Sequence, residues 1–93
     1  MTPAELESAG WQRTRPQPNP LYVTMQRGDC EIVACWAARG RIMAQLRTPD
    51  FQTINGAKQW TKRGDATERA LASLGACKMP DGRTVRDWAL SPP

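Results

Sequence analysis

The stretch from Leu21 to Arg47, LYVTMQRGDCEIVACWAARGRIMAQLR, decides the fold of this 93-residue chain. Apolar and polar residues alternate through three runs, which predicts three β-strands. Gly28-Asp29 is a two-residue turn between the first two runs, and a three-residue loop, Ala38-Arg39-Gly40, joins the second and third. This choice of loops gathers the apolar residues on one face of an antiparallel sheet. Shifting the second hairpin by one residue would divide them between both faces.

The predicted register gives the sheet one apolar and one mainly polar face. The apolar face, which we expect to be buried, consists of Leu21, Val23, Met25, Ile32, Ala34, Trp36, Ile42, Ala44 and Leu46. The opposite face consists of Tyr22, Thr24, Gln26, Glu31, Val33, Cys35, Arg41, Met43, Gln45 and Arg47. Because successive side chains of a strand point to opposite faces, the two sets follow directly from the loop lengths.

Capping signals predict three helices around the sheet. Thr2-Pro3-Ala4-Glu5 is a capping box with Pro at the first helical position, and Gly10 supplies a stop, which predicts a helix over 3–9. Asp65 with Glu68 forms a second capping box, which predicts a helix over 66–75 that packs on the sheet. Thr84 can cap a short last helix whose apolar residues recur at i, i+3 and i+4.

The remaining segments complete an α+β fold. Asn55-Gly56 between two short apolar runs predicts another hairpin, with Phe51 facing Trp60; the sequence leaves open whether it joins the sheet or projects. Residues 11–20, with three Pro, predict an extended arm or connector, and residues 91–93 a frayed tail. We therefore predict one domain over 1–93, an antiparallel sheet of 3–5 strands arranged as a meander of hairpins, with a helix packed on one face and short helices at the termini.

Two copies of the tripeptide Arg-Gly-Asp, at residues 27–29 and 63–65, are interpreted as structural. The first is a hairpin turn and the second a helix start. Nothing marks the chain as extracellular, which argues against integrin recognition. The order of the predicted elements is similar to that of double-stranded RNA-binding domains, but the acidic start at Asp65 departs from the Lys-rich helix start of that family. No motif identifies a family.

Composition favours a binding protein over an enzyme. The chain has no His, which removes the usual general base near neutral pH and the commonest metal ligand. Three Cys at unfavourable spacing predict no zinc site, and no phosphate-binding or dinucleotide motif is present. We expect no catalytic residues, no metal and no cofactor. Three Cys without a signal pattern or a long apolar run indicate a cytoplasmic protein that does not enter a membrane.

The net charge of +4, with ten Arg and three Lys, raises the expectation of an anionic partner. The leading hypothesis is a small basic module that contacts nucleic acid, DNA or RNA, through the Arg-bearing sheet face. The alternative is an inhibitor or adaptor, of the anti-CRISPR-like kind encoded by phages and mobile elements, that binds a host protein complex or another anionic surface. The candidate contact residues are Arg13, Arg15, Tyr22, Gln26, Arg41, Gln45, Arg47, Lys62 and Arg63.

Overall fold

A computed structural model describes residues 1–14, 23–37, 41–50, 53–60 and 66–92. In chain order the elements are α1 (Pro3–Ser8), β1 (Gln12–Arg13), β2 (Val23–Arg27), β3 (Cys30–Ala37), β4 (Arg41–Arg47), β5 (Ile54–Asn55), β6 (Gln59–Trp60), α2 (Ala66–Gly75) and α3 (Val85–Leu90). The strands form one antiparallel sheet in the order β1-β2-β3-β4-β5, and β6 also pairs with β4. The α+β architecture predicted from the sequence is confirmed.

Both predicted registers in the centre of the sheet are confirmed. Met25 lies opposite Ile32 across the first hairpin, and Ala34 lies opposite Ala44 across the second. The residues of the apolar face that the structure describes are buried: Val23, Met25, Ile32, Ala34, Ile42, Ala44 and Leu46. Leu21, the loop 38–40 and the side chain of Trp36 lie outside the described part of the chain, so their placement stays a prediction.

The predicted helices are also present. The Thr2 hydroxyl accepts the Glu5 backbone N–H at 3.1 Å, and the Glu5 carboxylate accepts the Thr2 N–H at 3.0 Å, which is the predicted capping box of α1. The Thr84 hydroxyl accepts the Asp87 N–H at 3.1 Å and caps α3. Helix α2 covers the predicted residues 66–75 and contributes Leu71, among others, to the core. Its predicted cap, Asp65, lies outside the described residues.

The predicted Asn55-Gly56 hairpin is wrong. β5 and β6 do not pair with each other; both run antiparallel to β4 along the same edge of the sheet. The pairs Gln45–Asn55 and Ile42–Gln59 are three residues apart along β4 but four residues apart along the segment that contains β5 and β6. One extra residue on one strand defines a β-bulge, so residues 54–60 form a single interrupted edge strand. Phe51 lies outside the described residues.

Gly56 lies at this bulge because α2 approaches it closely. Its N–H donates to the Ala44 carbonyl at 2.8 Å, and the next N–H, of Ala57, donates to the Ser73 hydroxyl of α2 at 2.8 Å. A Cβ atom on Gly56 would lie 2.8 Å from the Leu74 backbone nitrogen. The free edge of β4 and the Ser73 side chain of α2 therefore bind this segment as an edge strand, and a reversing turn does not form.

The two short helices meet at Trp11 and Arg27. Trp11, the first residue of the predicted arm, is only 1% exposed, and its indole N–H donates to the Ala89 carbonyl of α3 at 2.9 Å. Trp11 packs edge-on against Trp88, with 6.0 Å between ring centroids. It is followed by strand β1, and residues 15–20 lie outside the described ranges. The sequence pattern predicts that Trp11 begins the arm and gives no sign that it belongs to the core.

Arg27 of the first Arg-Gly-Asp tripeptide donates hydrogen bonds to backbone carbonyls at the C-terminal ends of α1 and α3. One guanidinium nitrogen lies 3.1 Å from the Ala9 carbonyl, 3.0 Å from that of Ala89 and 2.8 Å from that of Ser91. The guanidinium also lies over the Trp11 ring at 4.9 Å and the Trp88 ring at 5.4 Å. Burial lowers the pKa of this group, an effect that the Cys30 thiol opposes. A cation at helix C-termini is favourable because the unpaired carbonyls carry partial negative charge.

Candidate partner-binding face

The face of the sheet turned away from the helices contains no buried residue among those the structure describes. We call it the open face, and its described members on the three central strands are Thr24, Gln26, Glu31, Val33, Cys35, Arg41, Met43, Gln45 and Arg47. The helices pack on the other side, where the core is. The alternation of β2, β3 and β4 presents these side chains together, as predicted from the sequence.

The centre of the open face is apolar. Val33 and Cys35 are alternate residues of β3, and Met43 of β4 lies directly opposite Cys35. Thr24 of β2 lies opposite Val33 and adds a methyl group to the same area. All four residues are half-buried. Directly opposed residues of antiparallel strands have Cβ atoms about 5 Å apart, so these side chains form one continuous patch.

One end of the open face carries a small polar network. Glu31 lies opposite Arg47, and their side chains form an ion pair at 3.4 Å. The second terminal nitrogen of Arg47 donates to the Gln45 side-chain oxygen at 2.9 Å. An exposed ion pair of this kind contributes only about 0–1 kcal/mol to stability. Its main effect is to compensate the charge of Arg47 and to orient its guanidinium.

The two arginines of the open face are far apart. Arg41 is the first residue of β4 and Arg47 the last, which separates their backbone positions by about 20 Å at the usual strand rise. Met43 and Gln45 lie between them and carry no charge. Among the described residues, the positive charge therefore flanks the apolar centre and does not form a continuous basic patch.

The structure brings four of the nine predicted contact residues together. Gln26, Arg41, Gln45 and Arg47 share the open face. Arg13 does not: it lies in β1 opposite Met25, and it forms an ion pair with Glu7 of α1 at 3.1 Å. The other four, Arg15, Tyr22, Lys62 and Arg63, lie outside the described residues.

The alternation predicts that Val33, Cys35 and Met43 lie on this face, but none of them is among the predicted contact residues. The signal was present in the alternation, because three apolar residues interrupt an otherwise polar set. The described ranges hold nine of the 13 basic and eight of the nine acidic residues, a net charge of about +1. Most of the net charge of +4 thus belongs to residues outside the described ranges.

Other kinds of site are not found in the described part of the chain. It contains no cluster of three or more side chains suited to hold a metal ion. No helix within it combines the length and the apolar character needed to cross a membrane. Comparisons with protein-family models, with curated proteins and with solved structures found no match. The function is therefore inferred from the geometry of the chain itself.

Proposed function

We propose that this protein is a small, non-catalytic intracellular binding module that docks another protein through the open face and acts as an inhibitor or adaptor. The observation that carries the proposal is the patch formed by Val33, Cys35 and Met43 within a polar border. Protein interfaces combine a centre depleted of charge with a polar rim, and they are enriched in Met and Arg. The lack of His in the chain supports a non-catalytic role, and the three free thiols support a reducing compartment.

The chemistry of the open face defines the expected partner. An apolar patch on the partner would cover the three central side chains. Carboxylates on either side of that patch would face Arg41 and Arg47, since opposed charges across an interface select the partner and its orientation. The carboxylate of Glu31 already compensates Arg47 in the free protein, so exchange of this ion pair accompanies docking.

Site-specific photo-crosslinking tests this proposal. The photoreactive residue p-benzoylphenylalanine replaces Met43 in one variant and Glu68, exposed on α2, in a matched control. Illumination in the host should give one adduct with a single protein from position 43 and none from position 68. Adding Val33→Asp should abolish the adduct while urea denaturation confirms the fold. Equal adducts from both positions, or none from position 43, would reject the open face as the docking surface.

Nucleic acid is the second candidate partner. It is favoured by the shared placement of Gln26, Arg41, Gln45 and Arg47, whose side chains are of the types that contact bases and phosphates. It ranks second because the centre of the face is apolar and its arginines stand far apart. A phosphate-binding surface draws most of its affinity from clustered cations.

Fluorescence anisotropy with labelled random-sequence DNA and RNA separates the two candidates. A protein-binding module should show no salt-dependent affinity for either probe. If nucleic acid is the partner, binding weakens as salt is raised, and the Arg41→Ala, Arg47→Ala double variant flattens the salt dependence by up to about two counterions. Loss of binding in that variant, with unchanged stability, would replace the first proposal by the second.

A further inference from the structure

The open face of one copy of the chain complements the open face of a second copy. Glu31, the one acidic residue among the described members of this face, lies beside Arg47 at one end of the β3–β4 pair. Arg41, the first residue of β4, lies at the other end. The apolar centre lies between the two ends. A surface with an anion at one end, a cation at the other and apolar side chains between them matches itself when two copies face each other with their ends exchanged.

A two-fold axis between the facing copies produces this exchange. The axis lies in the interface, roughly across the strands, and places the Glu31 end of each copy over the Arg41 end of the other. Glu31 and Arg41 lie about 20 Å apart along the strands and about 5 Å apart across them. An axis that exchanges these two positions makes the strands of the two copies cross at about 25°. Packed sheets adopt an angle of about 30°, so one arrangement satisfies both the charge pairing and the sheet packing.

Both charged groups can take part in this contact. Arg47 lies against the Oε1 oxygen of Glu31 at 3.4 Å, and a carboxylate has acceptor sites for a second guanidinium. Arg41 keeps its positive charge at neutral pH, and its guanidinium carries several N–H donors. The axis passes through the apolar centre, so the apolar side chains of each copy cover those of the other. The second copy thus supplies both the apolar cover and the carboxylate that fit the open face.

We propose that the open face binds the open face of a second copy when the partner protein is absent, with Glu31 of each copy against Arg41 of the other. This inference rests on the proposed function, because it assigns self-association to the same docking face. The three central strands offer roughly 300 Å² of flat surface per copy, well below the ~800 Å² of a standard interface. The dimer is therefore weak, and a partner with a larger contact area displaces the second copy. Self-association regulates docking by covering the apolar centre until the partner binds.

Charge reversal in one copy and then in the other tests the dimer. Sedimentation velocity of the purified full chain, from about 10 μM to 1 mM, should show a monomer–dimer equilibrium. Glu31→Arg and Arg41→Glu should each weaken self-association at least about tenfold, because each sets like charges opposite one another twice in the symmetric dimer. An equimolar mixture of the two variants should restore dimerisation, since both facing pairs are then of opposite charge. Glu68→Arg, exposed on α2, is the control and should leave the equilibrium unchanged, and urea denaturation checks the fold of every variant.

Alkylation of the three thiols locates the contact on the sheet. Cys35 belongs to the open face, whereas Cys30 and Cys77 pack against the core on the other side. Iodoacetamide labelling followed by peptide mass spectrometry should show the rate at Cys35 falling as the protein concentration rises through the dimer range. The rates at Cys30 and Cys77 should stay constant, so the same chain contains its own controls.

Three results would overturn the inference. A monomer at every concentration would remove the dimer, while adducts with a host protein from position 43 would still support the proposed function. A dimer that neither charge reversal weakens, or that the mixture does not restore, would place the contact on another surface. An alkylation rate at Cys35 that does not depend on concentration would do the same. A dimer with the expected charge dependence but without host adducts would support self-association and reject the proposed function alone.

Discussion

Replacing Gly56 by Ala tests the packing of α2 on the edge of the sheet. A Cβ at this position would lie 2.8 Å from the nitrogen and 3.1 Å from the Cα of Leu74, and 3.3 Å from the Ala44 carbonyl oxygen. All three atoms belong to the backbone, which cannot rotate away as a flexible side chain can. The Gly56 backbone lies outside the left-handed region, so the cost is steric.

The magnitude follows from the displacement that the added methyl group requires. Helix α2 or the bulge must move by roughly 0.6 Å, the difference between 2.8 Å and the 3.4 Å of ordinary contact, and such overpacking costs about 1–3 kcal/mol. The shift also weakens the 2.8 Å hydrogen bonds from Gly56 to Ala44 and from Ala57 to Ser73, by about 1 kcal/mol in sum. We expect a loss of about 2–4 kcal/mol, which lowers the Tm by about 10–25 °C.

Urea denaturation followed by circular dichroism measures this loss, and Gly75→Ala is the matched control. A Cβ on Gly75, the last residue of α2, would meet the Arg86 Cβ at 3.3 Å and the Met1 side chain at 3.6 Å. The Met1 side chain can move away, the Arg86 Cβ must shift by only a few tenths of an ångström, and Ala is the better helix former, so we expect a change within about 1 kcal/mol. If Gly56→Ala unfolds at the same urea concentration as Gly75→Ala, the close approach of α2 to the bulge is wrong.

Three further predictions concern the charged groups of the fold. Arg27→Met should lose about 2–4 kcal/mol of unfolding free energy, because several carbonyls lose their donor, whereas Arg47→Met should lose less than about 1 kcal/mol in the same urea assay. Because the pKa of the Cys30 thiol is raised in the folded state, the thiol contributes stability below pH 9.0, its ordinary pKa, and this contribution is lost as pH rises through the pKa of the folded state. In Cys30→Ala, the free energy of unfolding should therefore depend less on pH above 9.0. Hydrogen bonds from the Arg83 backbone and side chain lower the pKa of Asp81, so the stability due to this carboxylate is lost as pH falls through the lowered value. An NMR titration should show the Asp81 pKa rising in Arg83→Ala, which removes the side-chain hydrogen bond and keeps the backbone one. An unchanged pKa would contradict the part of the effect assigned to the Arg83 side chain.

The centre of the sheet was predictable because local rules determine it. The turn at Gly28 and the alternation of apolar residues together allow one register that keeps Met25, Ile32 and Ala44 on one face, and the structure has that register. The same alternation predicted which polar residues share the open face. The alternation of apolar residues and the length of a loop depend only on residues close together in the chain, so both can be taken directly from the sequence.

The features that the sequence did not predict depend on contacts between residues that are far apart in the chain. Asn55-Gly56 has the composition of a tight turn, but the free edge of β4 and the approach of Leu74 determine its conformation. Arg27 resembles an ordinary turn arginine until α3 places its carbonyls around the guanidinium. Trp11 follows a helix stop and precedes a Pro-rich run, which gives no sign of its bond to Ala89.

The position of α3 at Trp11 and Arg27 has a consequence for the order of folding. The Trp11 bond to Ala89 spans 78 residues and the Arg27 bond to Ser91 spans 64, whereas β2, β3 and β4 are joined by short loops. Contacts between distant residues carry the larger loop-closure entropy, so we expect the meander to form first and α3 to dock late. We also expect α3 to open in the native state before the meander does, so that its amides exchange with deuterium before those of β3 and β4.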